Sequence, residues 1–225
     1  IKLKIQLQSN STINKIEIKK KISLVIPILN EGPNLKKLID LLRSNLEKYF
    51  YEVIFVDDDS NDGSKKVVLN YADKRIRYIL RKEKIKDLTK SCFLGINKSK
   101  YENILIMDGD LQHNPIYINA LLKKLLLDRS DLVIASRDFK KTQTESLSLI
   151  RITFSRILIF FLKLIFGKNY IDPMSGFFLF KKKIFFKNRK LFYGKGYKIL
   201  ADFIYNVPNI KISEVIIKFR SRKQG

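Results

Sequence analysis

The feature that most constrains the fold of this chain is a set of short apolar runs that each end abruptly in polar residues. The run over residues 52–56 stops at a cluster of aspartates, and the runs over 104–107 and 131–135 stop at Asp108 and at Ser136. Strands of a parallel sheet are buried on both faces and read as continuous apolar runs, and ligands bind beyond their carboxyl ends. The pattern therefore predicts a parallel sheet with a site along one edge.

Helical patterns separate these runs. A predicted strand over 22–29 precedes a helical pattern from Leu35 to about Lys48, for which Asn34 is the expected cap, and the strand over 52–56 follows. This strand-helix-strand order is typical of parallel α/β sheets. The later predictions are helices near 64–72, 88–98, 115–127, 181–191 and 197–205, and strands near 76–80, 178–180 and 212–219.

The sequence shows no repeat and no long linker, so we predict an extension over 1–20 and one domain over 21–225. Within that domain, residues 146–166 are basic and apolar. The stretch is about as long as a membrane span, but it carries Arg151, Arg156 and Lys163, which predicts an amphipathic helix instead. Such a helix suits either the lipid headgroup layer or a protein core.

The charge balance calls for an anionic partner or a compositional explanation. The chain has 45 Lys and Arg against 22 Asp and Glu, a formal charge of +23, spread along its length beside abundant Ile and Asn. Nucleic acid, anionic lipid and phosphorylated substrates are all compatible. The single cysteine, Cys92, excludes an internal disulfide, and with His113 as the only histidine a Cys/His zinc site is excluded too. Residues before Lys21 lack the apolar core of a signal peptide, which predicts a cytoplasmic location.

Asp108-Gly109-Asp110 places two carboxylates one residue apart at the end of an apolar run. Two hard oxygen donors suit Mg²⁺ or Mn²⁺ held by few protein ligands and completed by substrate phosphates. A solvated turn is the alternative for an isolated pair, but several strands here end in polar clusters. His113 is interpreted as a residue at a helix start before Asn114-Pro115, rather than as a base.

Five motifs follow one another along the chain. They are Val25-Ile26-Pro27-x-x-Asn30-Glu31, Val56-Asp57-Asp58-x-Ser60-x-Asp62-Gly63-Ser64, Met107-Asp108-Gly109-Asp110-Leu111-Gln112-His113, Ser136-Arg137 and Asp172-x-x-Ser175-Gly176-Phe177. In this order they resemble inverting GT-A glycosyltransferases of family 2, and most of all dolichol-phosphate mannosyltransferases and their polyprenyl-phosphate relatives. The resemblance runs from about residue 22 to the last residue. It implies a Rossmann-like GT-A fold with an interfacial helix at 146–166 and an acceptor loop at 220–225.

The resemblance implies a binding site for a nucleotide sugar such as GDP-mannose or UDP-glucose. The positions that match the family's nucleoside contacts are Pro27, Leu29, Glu31, Val56 and Asp58, and Leu29 stands where relatives often have Tyr. A carboxylate at the end of a strand can accept from a base N–H or a ribose hydroxyl. Asp62-Gly63, in contrast, is predicted to be a turn and helix cap.

The family pattern also implies a diphosphate site with Mg²⁺ or Mn²⁺. Asp108, Asp110 and Gln112 match the metal positions, and Gly109 and Arg137 match donor-phosphate contacts. A planar guanidinium suits such a phosphate. Of these residues, Asp110 is expected to be catalytic, together with Arg222 near the terminus.

A lipid phosphate as acceptor needs no general base, because a phosphate monoester with a second pKa near ~6 is already largely deprotonated at neutral pH. Arg151 and Ser155 lie four residues apart, share a helix face, and with Arg222 match the family's acceptor-phosphate contacts. Lys195 and Lys198 could add positive charge.

The chain departs from the family at two places. Residues 86–90 replace a Gly-x-Gly loop, and the sequence ends at Gly225, inside what resembles the acceptor loop Arg-x-x-Gly-x-Ser-Lys. Membrane helices that follow this loop in some relatives would lie beyond the sequence.

The predicted function is the metal-dependent, inverting transfer of mannose or glucose from a nucleotide sugar to a polyprenyl or dolichyl phosphate. The enzyme is expected at the cytoplasmic face of a membrane, peripheral or anchored by a region outside this sequence. A transferase acting on a saccharide or protein hydroxyl is the first alternative, and its base would be Asp172 or Asp202. A basic nucleic-acid-binding module and a lipid-binding scaffold without catalysis are the others. Phe177, Phe178 and Phe180 read as core, which disfavours nucleic acid.

Overall fold

The computed structural model describes residues 21–137 and 172–219. Its strands are β1 (Lys21–Ile28), β2 (Phe50–Asp57), β3 (Ile76–Leu80), β4 (Asn103–Ile106), β5 (Leu132–Arg137), β6 (Phe178–Lys181) and β7 (Ile212–Ile217). Its helices are α1 (Gly32–Leu46), α2 (Ser64–Leu69), α3 (Leu88–Lys98), α4 (Ile118–Leu127), α5 (Lys182–Lys187) and α6 (Ile199–Asn206), with single 3₁₀ turns at Pro115–Tyr117 and Arg189–Leu191.

The strands form one sheet in the order β3-β2-β1-β4-β6-β5-β7. β6 runs antiparallel to β4 and β5, and the other neighbouring strands are parallel. One apolar core lies between the sheet and α1, α2 and α4, and a second lies between the sheet and α3, α5 and α6. The predicted α/β class, a mostly parallel sheet flanked by helices, is confirmed.

The topology places a crevice beside β1. The chain moves outward from β1 to β2 and β3, then crosses back through α3 to add β4 on the other side of β1. The strand order therefore reverses between β1 and β4, and open α/β sheets bind ligands at such a reversal.

Most predicted elements are present, with two corrections to local detail. Asn34 does not cap α1: the helix begins at Gly32, and the buried Asn34 side chain donates to Glu31 Oε2 at 2.7 Å. The helix predicted near 181–191 is shorter, because α5 ends at Lys187 and only a 3₁₀ turn follows. Segments 1–20, 146–166 and 220–225 lie outside the described residues. In the part of the chain that the structure describes, no helix combines the length and apolarity that a membrane span requires.

The amino-terminal edge of the sheet is joined by one buried carboxylate. Glu52 on β2 is 2% exposed, and it accepts hydrogen bonds from the Ser23 hydroxyl of β1 at 2.7 Å and from the Lys100 backbone N–H at 2.5 Å. Its other oxygen lies 2.8 Å from Arg77 Nη1 on β3. One side chain therefore links three neighbouring strands to the turn that precedes β4.

We expect Glu52→Gln to lower the free energy of unfolding by about 2 kcal/mol, because hydrogen bonds to a charged group are each worth roughly 1.5–3 kcal/mol. Chemical denaturation measures the change. Glu102→Gln is the matched control: Glu102 is exposed near the same edge, and its substitution should cost less than about 0.5 kcal/mol. Equal effects of the two substitutions would contradict a bridging role for Glu52.

Candidate active site

A cavity of about 240 Å³ opens at the carboxyl edge of the sheet, where the strand order reverses between β1 and β4. Its lining residues are Pro27, Ile28, Leu29, Glu31, Asp58, Lys86, Asp87, Leu88, Ser91, Asp108, Gly109, Asp110 and Tyr197. The structure therefore brings four of the five predicted nucleoside contacts beside the Asp108-Gly109-Asp110 turn. The fifth, Val56, is not among the lining residues, because its side chain is fully buried in the core against α3.

Left-handed backbone occurs in the turn after each strand that borders the cavity. Asn30 after β1, Asp59 after β2 and Leu111 after β4 have φ angles of 57°, 64° and 63°. Asn and Asp tolerate this conformation, whereas a residue such as Leu incurs a cost of roughly 1–2 kcal/mol. The Leu111 side chain is buried in the core, which offsets that cost and fixes the turn that carries Asp110.

The aspartate cluster after β2 is mainly structural. Asp57 Oδ1 accepts from the backbone N–H and the hydroxyl of Ser60, and Asp57 Oδ2 accepts from the Tyr78 hydroxyl. Asp62 accepts from Ser64 and from Gly32 N–H at 2.7 Å, which joins the turn after β2 to the start of α1. Burial alone would raise the pKa of Asp62, but these hydrogen bonds outweigh it and lower the pKa. The predicted turn at Asp62-Gly63 is thus confirmed, and Gly63 occupies the N-cap position of α2, without a side-chain capping bond.

Asp58 is the member of this cluster that lines the cavity, and it is held from two sides. Its Oδ1 lies 2.5 Å from Arg81 Nη2, and its Oδ2 accepts from the Asp87 backbone N–H at 2.7 Å. Arg81 is buried as well, and it also donates to the Ile85 carbonyl and the Ser91 hydroxyl. Sequence reasoning missed Arg81 and Asp87, although their positions could have identified both. Arg81 directly follows the strand β3, and Asp87 is an acidic residue at the cap of α3.

Asp108 is the first carboxylate of the pair, and it lies over the backbone of the predicted Ser175-Gly176-Phe177 motif. A Cβ atom placed on Gly176 would stand 1.8 Å from Asp108 Oδ2, so any side chain there would displace this carboxylate. Asp108 also lines a second cavity of about 100 Å³, which it shares with Tyr197, Gly176 and Lys198. Asp108 therefore stands where the two cavities meet.

Asp110 is half-buried and lines the larger cavity. Its Oδ1 accepts from the Gln112 backbone N–H at 3.1 Å, a local contact that orients the carboxylate within the turn. Gln112 is also half-buried, but it is not among the residues that line the cavity.

His113 lies directly before a helical start, as interpreted from the sequence, because the 3₁₀ turn Pro115–Tyr117 leads straight into α4. Its ring is buried, lies 5.3 Å from the Phe177 ring and 5.2 Å from the Phe219 ring, and places Nε2 3.4 Å from Asp108 Oδ2. Asn114 caps this 3₁₀ turn, accepting from Ile116 N–H. The buried His113 ring thus lies directly against the Asp108 carboxylate.

Arg137 is bound by a carboxylate of its own chain. Its Nε and Nη2 donate to the two oxygens of the fully buried Asp172 at 2.6 and 2.9 Å. Burial alone would lower the pKa of Arg137, but the hydrogen bonds to Asp172 and the negative charges of Asp172 and Asp108 raise it above the ordinary value. Arg137 therefore stays charged close to Asp108.

The donor set at the cavity fits a divalent cation that a substrate completes. Among residues 21–137 and 172–219, no group of three or more His, Cys, Asp or Glu side chains is arranged to hold a metal ion. Asp108 and Asp110 nevertheless both line the cavity, and Mg²⁺ is commonly held by one or two carboxylates plus substrate phosphates. Arg151, Ser155 and Arg222, the predicted acceptor-phosphate residues, lie outside the described residues.

Comparison with known proteins supplies a family and relatives. Residues 23–187 match the model of glycosyl transferase family 2. A dolichol-phosphate mannosyltransferase of Pyrococcus furiosus is 30% identical over 207 residues, which are 91% of this chain and 58% of that protein. A second dolichol-phosphate mannosyltransferase, from Mycosarcoma maydis, is 28% identical over 90% of this chain and 71% of its own length. This chain thus spans little more than half of the P. furiosus relative.

The fold resembles solved glycosyltransferase structures. Glucosyl-3-phosphoglycerate synthase from Mycobacterium tuberculosis, solved with Mn²⁺, UDP-glucose and phosphoglyceric acid, superposes with a TM-score of 0.71 at 19% identity. The match covers 95% of this chain and 76% of that one.

Proposed function

We propose, because this chain belongs to glycosyl transferase family 2, that it transfers mannose or glucose from a nucleotide sugar to a polyprenyl or dolichyl phosphate, inverting the anomeric centre. The observation that carries the proposal is one cavity whose walls hold the fixed carboxylate of Asp58 and the carboxylates of Asp108 and Asp110. The first suits a nucleoside and the other two suit a metal-bound diphosphate.

The donor would lie with its nucleoside between the ends of β1 and β2, against Pro27, Leu29, Glu31 and Asp58. Its diphosphate would meet the turn after β4, where Gly109 presents backbone without a side chain. An added Cβ there would come within 3.0 Å of Ile28 Cγ2, so the turn is closely packed on β1.

Mg²⁺ or Mn²⁺ held by Asp108, Asp110 and Gln112 would offset the charge that grows on the nucleoside diphosphate as the sugar leaves. Asp110 would act on the diphosphate by holding that metal at the wall of the cavity, because two negative groups repel each other. Arg137 would add positive charge beside Asp108, since Asp172 holds its guanidinium in place. The structure of the M. tuberculosis synthase with Mn²⁺ and UDP-glucose supports this choice of metal and donor class.

A lipid phosphate is the acceptor we favour, as the name of the P. furiosus relative suggests. Arg151, Ser155 and Arg222 would bind its phosphate, and the exposed Lys198 on the second cavity would add charge. The described residues lend little support to attack by a hydroxyl. Asp172 is fully buried and paired with Arg137, and Asp202 accepts hydrogen bonds from Tyr193 N–H, Gly194 N–H and Asn206, so neither is placed as a free base.

A polyprenyl phosphate resides in a membrane, so we place the enzyme at the cytoplasmic face of one. The basic, apolar segment 146–166 is the proposed contact with the lipid headgroups, where lysines and arginines near an anionic leaflet each contribute about 1 kcal/mol.

We expect the full-length protein, in detergent with polyprenyl phosphate, to form a lipid-linked hexose from GDP-mannose or UDP-glucose. Product is measured by mass spectrometry of the lipid extract. Chelation by EDTA should reduce the rate at least about 100-fold, and Mn²⁺ or Mg²⁺ should restore it, because the metal stabilises the leaving diphosphate. Transfer to a saccharide hydroxyl with none to lipid phosphate would favour the alternative. Activity that EDTA leaves intact would contradict the metal site.

A further inference from the structure

Asp87 makes contacts on both sides of the 240 Å³ cavity in which the nucleotide sugar is proposed to bind, called the donor cavity below. The residue is buried just before α3 and lines the cavity. Its backbone N–H donates to Asp58 Oδ2 at 2.7 Å, and its Oδ1 accepts from Lys90 N–H at 3.0 Å, which caps the helix. Its Oδ2 accepts from the backbone N–H of Gly196, 109 residues further along the chain, at 3.0 Å.

The contact with Gly196 fixes a loop at the rim of the site, residues 192–198, which we call the rim loop. Gly196 also returns a hydrogen bond, because its carbonyl accepts from Thr89 N–H at 2.9 Å. Gly194 and Gly196 have φ angles of 70° and 88°, which other residues rarely adopt. At its other end the rim loop is held by Asp202, through the N–H groups of Tyr193 and Gly194.

Tyr197 is the side chain that this arrangement places. It follows Gly196 directly and lines both cavities, although it is 73% exposed. An aromatic ring so open to water has few packing contacts of its own to hold it, so its place over the cleft depends on the backbone beneath it. That backbone is fastened to Asp87.

We propose that Asp87 is a positioning residue for donor binding, which fixes Asp58 and Tyr197 with respect to each other across the cavity. The inference rests on the proposed function for the identity of the ligand, a nucleotide sugar. Asp87 lies in the segment 86–90, where similar enzymes carry a Gly-x-Gly loop. A carboxylate in this segment joins the two walls, which a glycine without a side chain cannot do.

The test compares Asp87→Ser with Asp128→Ser. Serine at residue 87 can still cap α3 and keeps the backbone N–H for Asp58, but it is too short to reach Gly196 while it caps. Asp128 is the matched control, because it too joins distant segments through one carboxylate, accepting from the Ser213 hydroxyl at 2.6 Å at the opposite edge of the sheet. Both substitutions remove one negative charge.

We expect Asp87→Ser to raise the KM and the Kd for the nucleotide sugar about tenfold, a change of roughly 1.4 kcal/mol, and to change kcat less than about threefold. Hydrogen exchange should speed up at the amides of Gly196 and Thr89 in this variant. Asp128→Ser should leave the KM and both amides unchanged. Donor binding is measured by calorimetry with GDP-mannose and with UDP-glucose in the presence of Mn²⁺.

Faster exchange at Gly196 with an unchanged donor Kd would overturn the proposal, since Asp87 would then serve only the fold. Unchanged exchange in Asp87→Ser would overturn it too, because the link to the rim loop would be absent. A wild-type protein that binds neither nucleotide sugar would instead overturn the proposed function itself. If the wild type binds a nucleotide sugar and Asp87→Ser binds it with the same Kd, only the inference about Asp87 fails.

Discussion

We expect the substitution Asp110→Asn to lower the rate of hexose transfer by about 100- to 1,000-fold. This is the usual loss when one group that stabilises transition-state charge is removed. The amide keeps the shape of the side chain and can still accept from Gln112 N–H. It removes the negative charge on which binding of a divalent cation depends. The rate is measured with saturating nucleotide sugar and Mn²⁺, and the midpoint of thermal unfolding is measured without ligand.

The matched control is Asp40→Asn, on the outer face of α1. Asp40 is exposed and accepts from the Tyr71 hydroxyl, a contact that asparagine preserves. Both variants should unfold within a few degrees of wild type, and only Asp110→Asn should lose activity. An Asp110→Asn enzyme with near-normal activity across Mn²⁺ concentrations would refute a role for this carboxylate in the metal site.

The layout of the sheet could be predicted because its information is local. Continuous apolar runs give buried strands, and the strand predicted over 76–80 and the helix predicted over 88–98 agree with β3 and α3 to the residue. Parallel order then brings the strand ends to one edge. The cavity lined by Asp58, Asp108 and Asp110 follows from those two steps, without knowledge of any side-chain contact.

What could not be predicted depends on pairs that are distant in sequence. The residues around Asp87 do not predict its hydrogen bond with Gly196. Those around Arg137 do not predict that its guanidinium is hydrogen-bonded to Asp172. That second pair also alters the reading of an experiment: Asp172→Asn would disturb Arg137, so lost activity would not identify Asp172 as a base. The helical start after His113 can be predicted from Asn114-Pro115, whereas the burial of His113 beside Phe177 depends on the tertiary fold.

Adding one methyl group at Gly176 is expected to reduce transfer about 100-fold or more, comparable to the loss of a transition-state contact. In Gly176→Ala the new Cβ would stand 1.8 Å from Asp108 Oδ2, 2.4 Å from its Cγ and 2.6 Å from Oδ1. The whole carboxylate would have to turn away. Because Asp108 is partly exposed and its side chain can rotate, the cost to the fold should be small while the geometry shared with Asp110 is lost.

Gly95→Ala separates this effect from simple overcrowding. Its Cβ would lie 2.3 Å from Val25 Cγ1, inside the apolar core beneath α3 and away from the carboxylates. Overpacking of that kind typically destabilises by about 1–3 kcal/mol. Gly95→Ala should therefore unfold at a lower temperature yet retain its activity per folded molecule. Gly176→Ala should lose activity while its unfolding temperature changes little. Loss of activity in proportion to loss of stability in both variants would mean that the glycine serves packing, and that the position of Asp108 is not what the reaction depends on.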